Sequence, residues 1–370
     1  MRILGFGTYD LTKHPRIGIV FDGLRASGDE VVLANVPLGF STAERVEMLQ
    51  RPWLVLRLVR RMLGNWWSIA RSARRARAGG DIDAVVVGYM GHFDVLLARA
   101  LFRRQPIVLD LLILAGDTAR DRGVTSRPKL ALLDLLDRIA IAAADTVLVD
   151  TDENAALVPS PHRDKVIVVP VGAPVSWLSV PVGEERPPDP TAALRVVFFG
   201  LFTPLQGAEV IGTALGLLCE DDRIHTTMIG DGQDAPAARA AASGNQHVTW
   251  MDWVESETLP KLVADHDVCL GIFGTTAKAL RVVPNKVFQG AAAGCVIVTS
   301  DTPPQRRLLE DTAVFVPAGD PGALVGALRH LATDRAGVAD LRAAARRHVV
   351  DRFAPSTLVA PLRARLAREA

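Results

Sequence analysis

Cysteine is scarce in this 370-residue chain: Cys219, Cys269 and Cys295 are odd in number, widely spaced and set in apolar segments. That excludes a disulfide framework or a cysteine metal cluster, and makes a reducing cytoplasm the expected compartment. No apolar run approaches the ~20 residues a membrane span needs. The opening Met1-Arg-Ile-Leu-Gly-Phe-Gly-Thr-Tyr-Asp10 turns polar too soon for a signal-peptide core and reads as a first strand. Neither sign of charge dominates, with 42 Lys and Arg against 41 Asp and Glu, so a nucleic-acid partner is not expected. P-loop, H-E-x-x-H, C-x-x-C and G-x-S-x-G motifs are all missing. The acidic pairs Asp81-Ile-Asp83 and Asp265-His-Asp267 each immediately precede a buried strand and read as loop residues, so no metal is expected.

What is present is a chain long enough for two domains, 49% hydrophobic and 22% charged. It opens as β-α-β: a strand at Arg2 to Phe6, the turn Gly5-Phe-Gly7-Thr8, a loop and helix within Thr12 to Gly28, and a strand at Glu30 to Asn35. A dinucleotide fingerprint would want a third glycine at position 10, which is Asp10. Parallel pairing places the turn at the carboxyl edge of the sheet, where ligands bind, with Gly7, Thr8, Tyr9 and Arg16 as candidates. Residues 44 to 79 read as one or two helices mixing Trp53, Trp66 and Trp67 with Arg57, Arg60, Arg61, Arg71, Arg74, Arg75 and Arg77. Such a mix suits either an anionic membrane surface or packing on the sheet with solvated arginines.

A buried strand at Asp83 to Tyr89 leads to His92, past its end and on the edge that carries Thr8. Ala115 to Gly123 reads as a loop crowding Asp117, Arg120, Asp121 and Arg122, a density of ionisable groups suited to polyol recognition or to a self-neutralising surface. Strands at Thr146 to Asp150 and Val166 to Val171 close the first sheet. Ser176 to Pro190, rich in proline and without periodicity, reads as a linker.

The second half is organised around Lys278-Ala-Leu-Arg281-Val-Val-Pro284-Asn285-Lys286-Val-Phe-Gln289-Gly-Ala-Ala-Ala-Gly294. Apolar runs at Val268 to Phe273 and Cys295 to Thr299 make it a strand-loop-helix-strand unit, with Pro284 in the first helical turn and Gly294 after the last. Unpaired N–H groups, the helix dipole and Arg281, Asn285 and Lys286 then form a place for an anion, read here as a diphosphate.

That segment resembles the donor-site helix of family 4 glycosyltransferases, which have the GT-B fold. Arg195-Val-Val-Phe-Phe-Gly200-Leu-Phe-Thr203-Pro-Leu-Gln206-Gly207 resembles the first strand and Gly-loop of the same family's C-terminal domain. Met228 to Gly232, Val248 to Val254 and Thr312 to Asp320 follow in the family's order, over about residues 195 to 350. The departures are specific. The family's E-x7-E carboxylates fall on Arg281 and Gln289, and its diphosphate-binding Arg and Lys on Leu201 and Gln206. Arg281 and Lys286 are read as having taken over that charge.

The resemblance implies two Rossmann-like α/β domains facing across a cleft: residues 1–180 on the acceptor side, a linker at 181–194, a nucleotide-sugar domain at 195–352, and a last helix at 353–370 that crosses back. It implies transfer of a sugar from a nucleotide-sugar co-substrate to a small-molecule, glycan or lipid-linked hydroxyl, with retention and without a metal or other cofactor. Gly7, Thr8, Gly200, Thr203, Gln206, Trp253, Val254, Arg281, Asn285, Lys286 and Gln289 would hold the donor. Tyr9, Arg16 and Arg122 would hold the acceptor, and His92, Asp117 and Asp121 would act in catalysis. Several members bind membranes peripherally, the role this implies for residues 53–77. A GT-B nucleotide-sugar epimerase and a non-catalytic nucleotide-sugar-binding protein are the alternatives.

Overall fold

The structure is a computed structural model that describes residues 1–11, 14–39, 52–181 and 192–369, with side chains of the first long helix from residue 57 onward. Thr12, residues 44–51, the Trp53 side chain and most of the expected linker lie outside the described residues.

Six short Val-, Ile- and Leu-rich segments form a parallel sheet: β1 (Arg2–Gly7), β2 (Glu30–Asn35), β3 (Ala84–Val87), β4 (Ile107–Asp110), β5 (Thr146–Val149) and β6 (Val166–Val168). Their order is β2-β1-β3-β4-β5-β6. Near-continuous apolar composition is what a parallel sheet covered on both faces requires. Alternate residues Leu4, Phe6, Val85, Val87, Ile107 and Leu109 pack against Ile69, Val95 and Ala140 from the helices Pro52–Ala78, Asp94–Leu101 and Arg127–Ala143. On the other face the helix Pro15–Ala26 lays Phe21 against Gly5, where any Cβ would fall 2.6 Å from the ring.

A second parallel sheet repeats the plan with β7 (Leu194–Phe199), β8 (Ile224–Ile229), β9 (Val248–Met251), β10 (Val268–Leu270), β11 (Val296–Ser300) and β12 (Ala313–Val316), ordered β12-β11-β10-β7-β8-β9. In each sheet the first strand is an interior one and the chain leaves it first to one side and then to the other. Both sheets therefore carry a topological switch point, between β1 and β3 and between β7 and β10, where a crevice opens outside the strand ends.

Contacts divide the chain into one unit of residues 1–120, 124–169 and 358–370, and another of 121–123 and 170–357. Residues 170–180, read from sequence with the first half, group with the second. The reason is local packing: Trp177 stacks on Phe199 at 5.4 Å, and Arg346 donates to the carbonyls of Leu178 and Val180. At the C-terminus, Arg363 donates to Asp29 at 2.7 Å, within the first unit. One further reading is revised: Ala115 to Asp121 is a short helix rather than a loop. The helix after β10 spans Asn285–Ala292, within a residue of the expected ends, with Pro284 as its N-cap.

Candidate nucleotide and acceptor sites

The β7–β10 switch point gathers the residues best suited to an anion. Leaving β7, the backbone turns at Gly200 with φ +132°, a conformation that side chains disfavour. It turns again at Gly207 (φ +68°), where a Cβ would stand 2.5 Å from the Phe273 backbone. The loop is held flat against the end of β10, with Phe273 N–H donating to the Gln206 carbonyl at 3.0 Å. Gln206 N–H donates back to the Thr203 carbonyl, and the Gln206 Oε1 is buried without a donor.

Lys286 enters beneath this loop from the first turn of the helix Asn285–Ala292. It is 4% exposed, and its Nζ lies 3.5 Å from the centre of the Phe198 ring with no hydrogen-bond partner. The nearest approach from above is at Gly200, whose missing Cβ would sit 3.3 Å from that nitrogen. Burial pushes the amine down to about 7, with the Cys269 thiol a weaker opposing influence. No side chain caps the helix N-terminus beside it, so its first N–H groups and dipole are available to an anion. Asn285 is half-buried at that terminus and Gln289 is buried one turn on. Arg281, half-buried at the end of the turn Ala279–Arg281, is engaged in interactions of its own.

Gly200 and Lys286 thus meet, with Thr203 and Gln206 further along the same loop. Trp253 and Val254 follow β9, two strands or roughly 10 Å across the sheet from β7, and Trp253 is 73% exposed. Phe198, Gly230 and Gly274 were not singled out from the sequence. The signal for the two glycines is their place after a buried strand: Gly230 lies against the Gly200 carbonyl, and Gly274 against those of Pro204 and Leu205.

In the first unit the equivalent crevice is filled by the protein itself. The Tyr9 ring is buried between the ends of β1 and β3, where a Cβ on Gly88 would meet it at 2.4 Å. Arg16, expected to face an acceptor, is 1% exposed and spans the core, with Nε donating to Asp110 Oδ1 and Nη1 to the Val169 carbonyl, both at 2.7 Å. Beside it, burial pushes the Asp150 carboxyl up, against the opposing pull of Arg16. His92 is also buried, its Nε2 2.8 Å from Asp137 Oδ1, while Asp137 accepts from the N–H groups of Ala115 and Gly116. It therefore anchors the start of the helix Ala115–Asp121. Asp117 is half-buried in that helix and engaged, Asp121 accepts from Thr276 Oγ1, and Arg122 is exposed. Thr8 remains partly open beside Asp94, an aspartate that sequence reasoning passed over because nothing local marks it.

Among the described residues no three His, Cys, Asp or Glu side chains gather as a metal site, and no helix is long and apolar enough to cross a membrane. Comparison with known proteins gives a family-model match over part of the chain and a set of similar folds. Residues 193–334 match the model of "Glycosyl transferases group 1". No curated protein matches the chain. Among solved structures, sucrose-phosphate synthase from Thermosynechococcus elongatus superposes with a TM-score of 0.72 at 14% identity, covering 100% of both chains. Anabaena HepE in complex with UDP and glucose gives 0.68 at 14% identity, again over 100% of both. The trehalose-6-phosphate synthase OtsA gives 0.68 at 13%, over 100% of this chain and 99% of its own. Residues 193–334 thus match a glycosyl transferases group 1 domain, and the chain as a whole has the GT-B fold of these structures.

Proposed function

We propose that the protein moves a sugar from a nucleoside-diphosphate donor to a hydroxyl acceptor, with the second unit holding the donor and the first the acceptor. The observation that carries this is Lys286, a buried amine with no acceptor of its own, under the Gly200 turn and beside an uncapped helix N-terminus. A buried cation is costly unless an anion answers it, and a diphosphate at the turn supplies one. HepE, of like fold, has been solved with UDP-glucose. In this reading Lys286, Arg281 and the helix N-terminus stabilise the leaving diphosphate without a metal, and the sugar is transferred with retention. Gln289 bonds the ribose and Trp253 and Val254 face the base. Asp117 serves the acceptor hydroxyl, while His92 and Asp121, tied to Asp137 and Thr276, act by positioning.

A thermal-shift panel of UDP, GDP and dTDP with their sugars tests it: at least one diphosphate should raise the apparent melting temperature, since it binds only the folded chain. No rise with any of them removes the proposal. Turnover without an acceptor would instead indicate an epimerase. Arg281 and Gln289 at the E-x7-E positions favour a second reading, a non-catalytic binder, whose signature is a shift with no product under any acceptor.

A peripheral membrane contact is a finer proposal, supported by Trp67, which is 66% exposed with Arg71 stacked 4.9 Å over its ring. Trp66 does not share that role, because its Nε1 donates to Asp94. Anionic vesicles should retain the protein at low salt and release it at high salt, and Trp67→Ala should abolish retention. Equal recovery in the supernatant with and without anionic lipid ends the idea.

A further inference from the structure

We infer that the site at the end of β1 selects a neutral, hydroxyl-bearing group and rejects a phosphorylated or otherwise anionic one. This rests on the reading that the first unit holds the acceptor and names its chemical class. In many α/β folds the turn after the first strand offers N–H groups to a phosphate. Here that offer is withdrawn. Thr8 N–H donates to Asp94 Oδ2 at 2.7 Å and Thr8 Oγ1 donates to the same oxygen at 2.8 Å, while Trp66 Nε1 donates to Asp94 Oδ1 at 2.8 Å. Both carboxylate oxygens accept and neither has an acceptor for a proton, which is the pattern of an ionised group.

Asp94 is 2% exposed and opens the helix Asp94–Leu101, whose dipole favours its charge. Its hydrogen-bond partners Thr8 and Trp66 are neutral, and the buried Arg16 directs Nε to Asp110 and Nη1 to the Val169 carbonyl, with Nη2 buried and unpartnered. His14 lies stacked on Tyr89 at 3.8 Å. With Tyr9 plugging the crevice, a ligand meets Thr8 from outside. Thr8 Oγ1 has committed its proton to Asp94, so its remaining lone pair can only accept. A sugar or other polyol hydroxyl donates to it. A phosphate dianion has no proton to donate, and contact with Thr8 would bring it within two hydrogen-bond lengths of the Asp94 charge.

The test follows the Gly7 and Thr8 amide signals in TROSY spectra while the whole protein is titrated with glucose and, separately, glucose 6-phosphate. Glucose should move the Thr8 signal at a concentration at least about tenfold below that needed for the phosphorylated sugar. Asp94→Asn removes the charge and keeps the shape, and should bring the two sugars within about threefold. Thr8→Ser should retain the glucose response with a nearly unchanged melting temperature, and Thr8→Val should lose the response with a lowered melting temperature, because it takes a donor from the buried Asp94. The inference is overturned if the phosphorylated sugar binds the native protein as tightly as glucose, if the ratio survives Asp94→Asn, or if neither sugar moves these amides. A UDP thermal shift on the same sample reads the donor proposal separately, so either idea can fail alone.

Discussion

Lys286→Met is expected to weaken nucleoside-diphosphate binding roughly ten- to a hundredfold at pH 7, the cost of one charge-assisted contact of about 1.5–3 kcal/mol, while leaving the bare nucleoside nearly unaffected. The same substitution should raise the stability of the ligand-free protein. Methionine keeps the stem against Phe198 and removes an amine that is buried without an acceptor. A loss of affinity together with a gain of stability separates a site residue from a merely structural one.

The pH dependence has a definite sign. The folded amine titrates near 7 and the unfolded one near 10.5. Between those values the unfolded chain holds a proton that the folded chain lacks, so the Lys286 contribution makes stability rise with pH across that window. Diphosphate binding runs the other way. Below about pH 7 the amine is already charged; above it binding must draw in a proton, and affinity should fall by up to tenfold per unit, a slope Lys286→Met abolishes. Isothermal titration at several pH values measures both effects. Gln206→Ala should do much less, and if it abolishes binding while Lys286→Met is silent, the anion site is wrongly placed.

Arg16→Ala should be the most destabilising single change in the first unit, by about 3–5 kcal/mol, or on the order of 10 °C in melting temperature. It leaves the Asp110 carboxylate and the Val169 carbonyl buried without their donor. It also removes the positive charge that opposes the rise of the Asp150 pKa. The double variant Arg16→Met/Asp110→Leu should recover much of the loss, because it removes both buried charges together. Thermal and urea unfolding measure it. An unchanged midpoint with a raised KM for acceptor would return Arg16 to substrate binding.

The periodicity of the chain by itself determined a great deal. The short apolar strands separated by helices, twelve among the described residues, leave little choice but parallel α/β sheets, since such strands must be covered on both faces and their crossovers have a fixed hand. The glycines at 200 and 207 and the helix Asn285–Ala292, bracketed by Pro284 and Gly294, were legible because their constraints are local: a backbone angle, a proline ring, a helix end. Side-chain commitments were not legible, because they are made across long separations. Arg16 looked available until Asp110, 94 residues on, took its Nε and the Val169 carbonyl, 153 residues on, its Nη1, deep in the core. His92 likewise found Asp137 at a separation of 45 residues, and Asp94 acquired its meaning only from Thr8, 86 residues earlier. Spacing in a sequence can say which residues reach the edge of a sheet. Only packing decides which of them still has an unused donor, acceptor or charge when it arrives there.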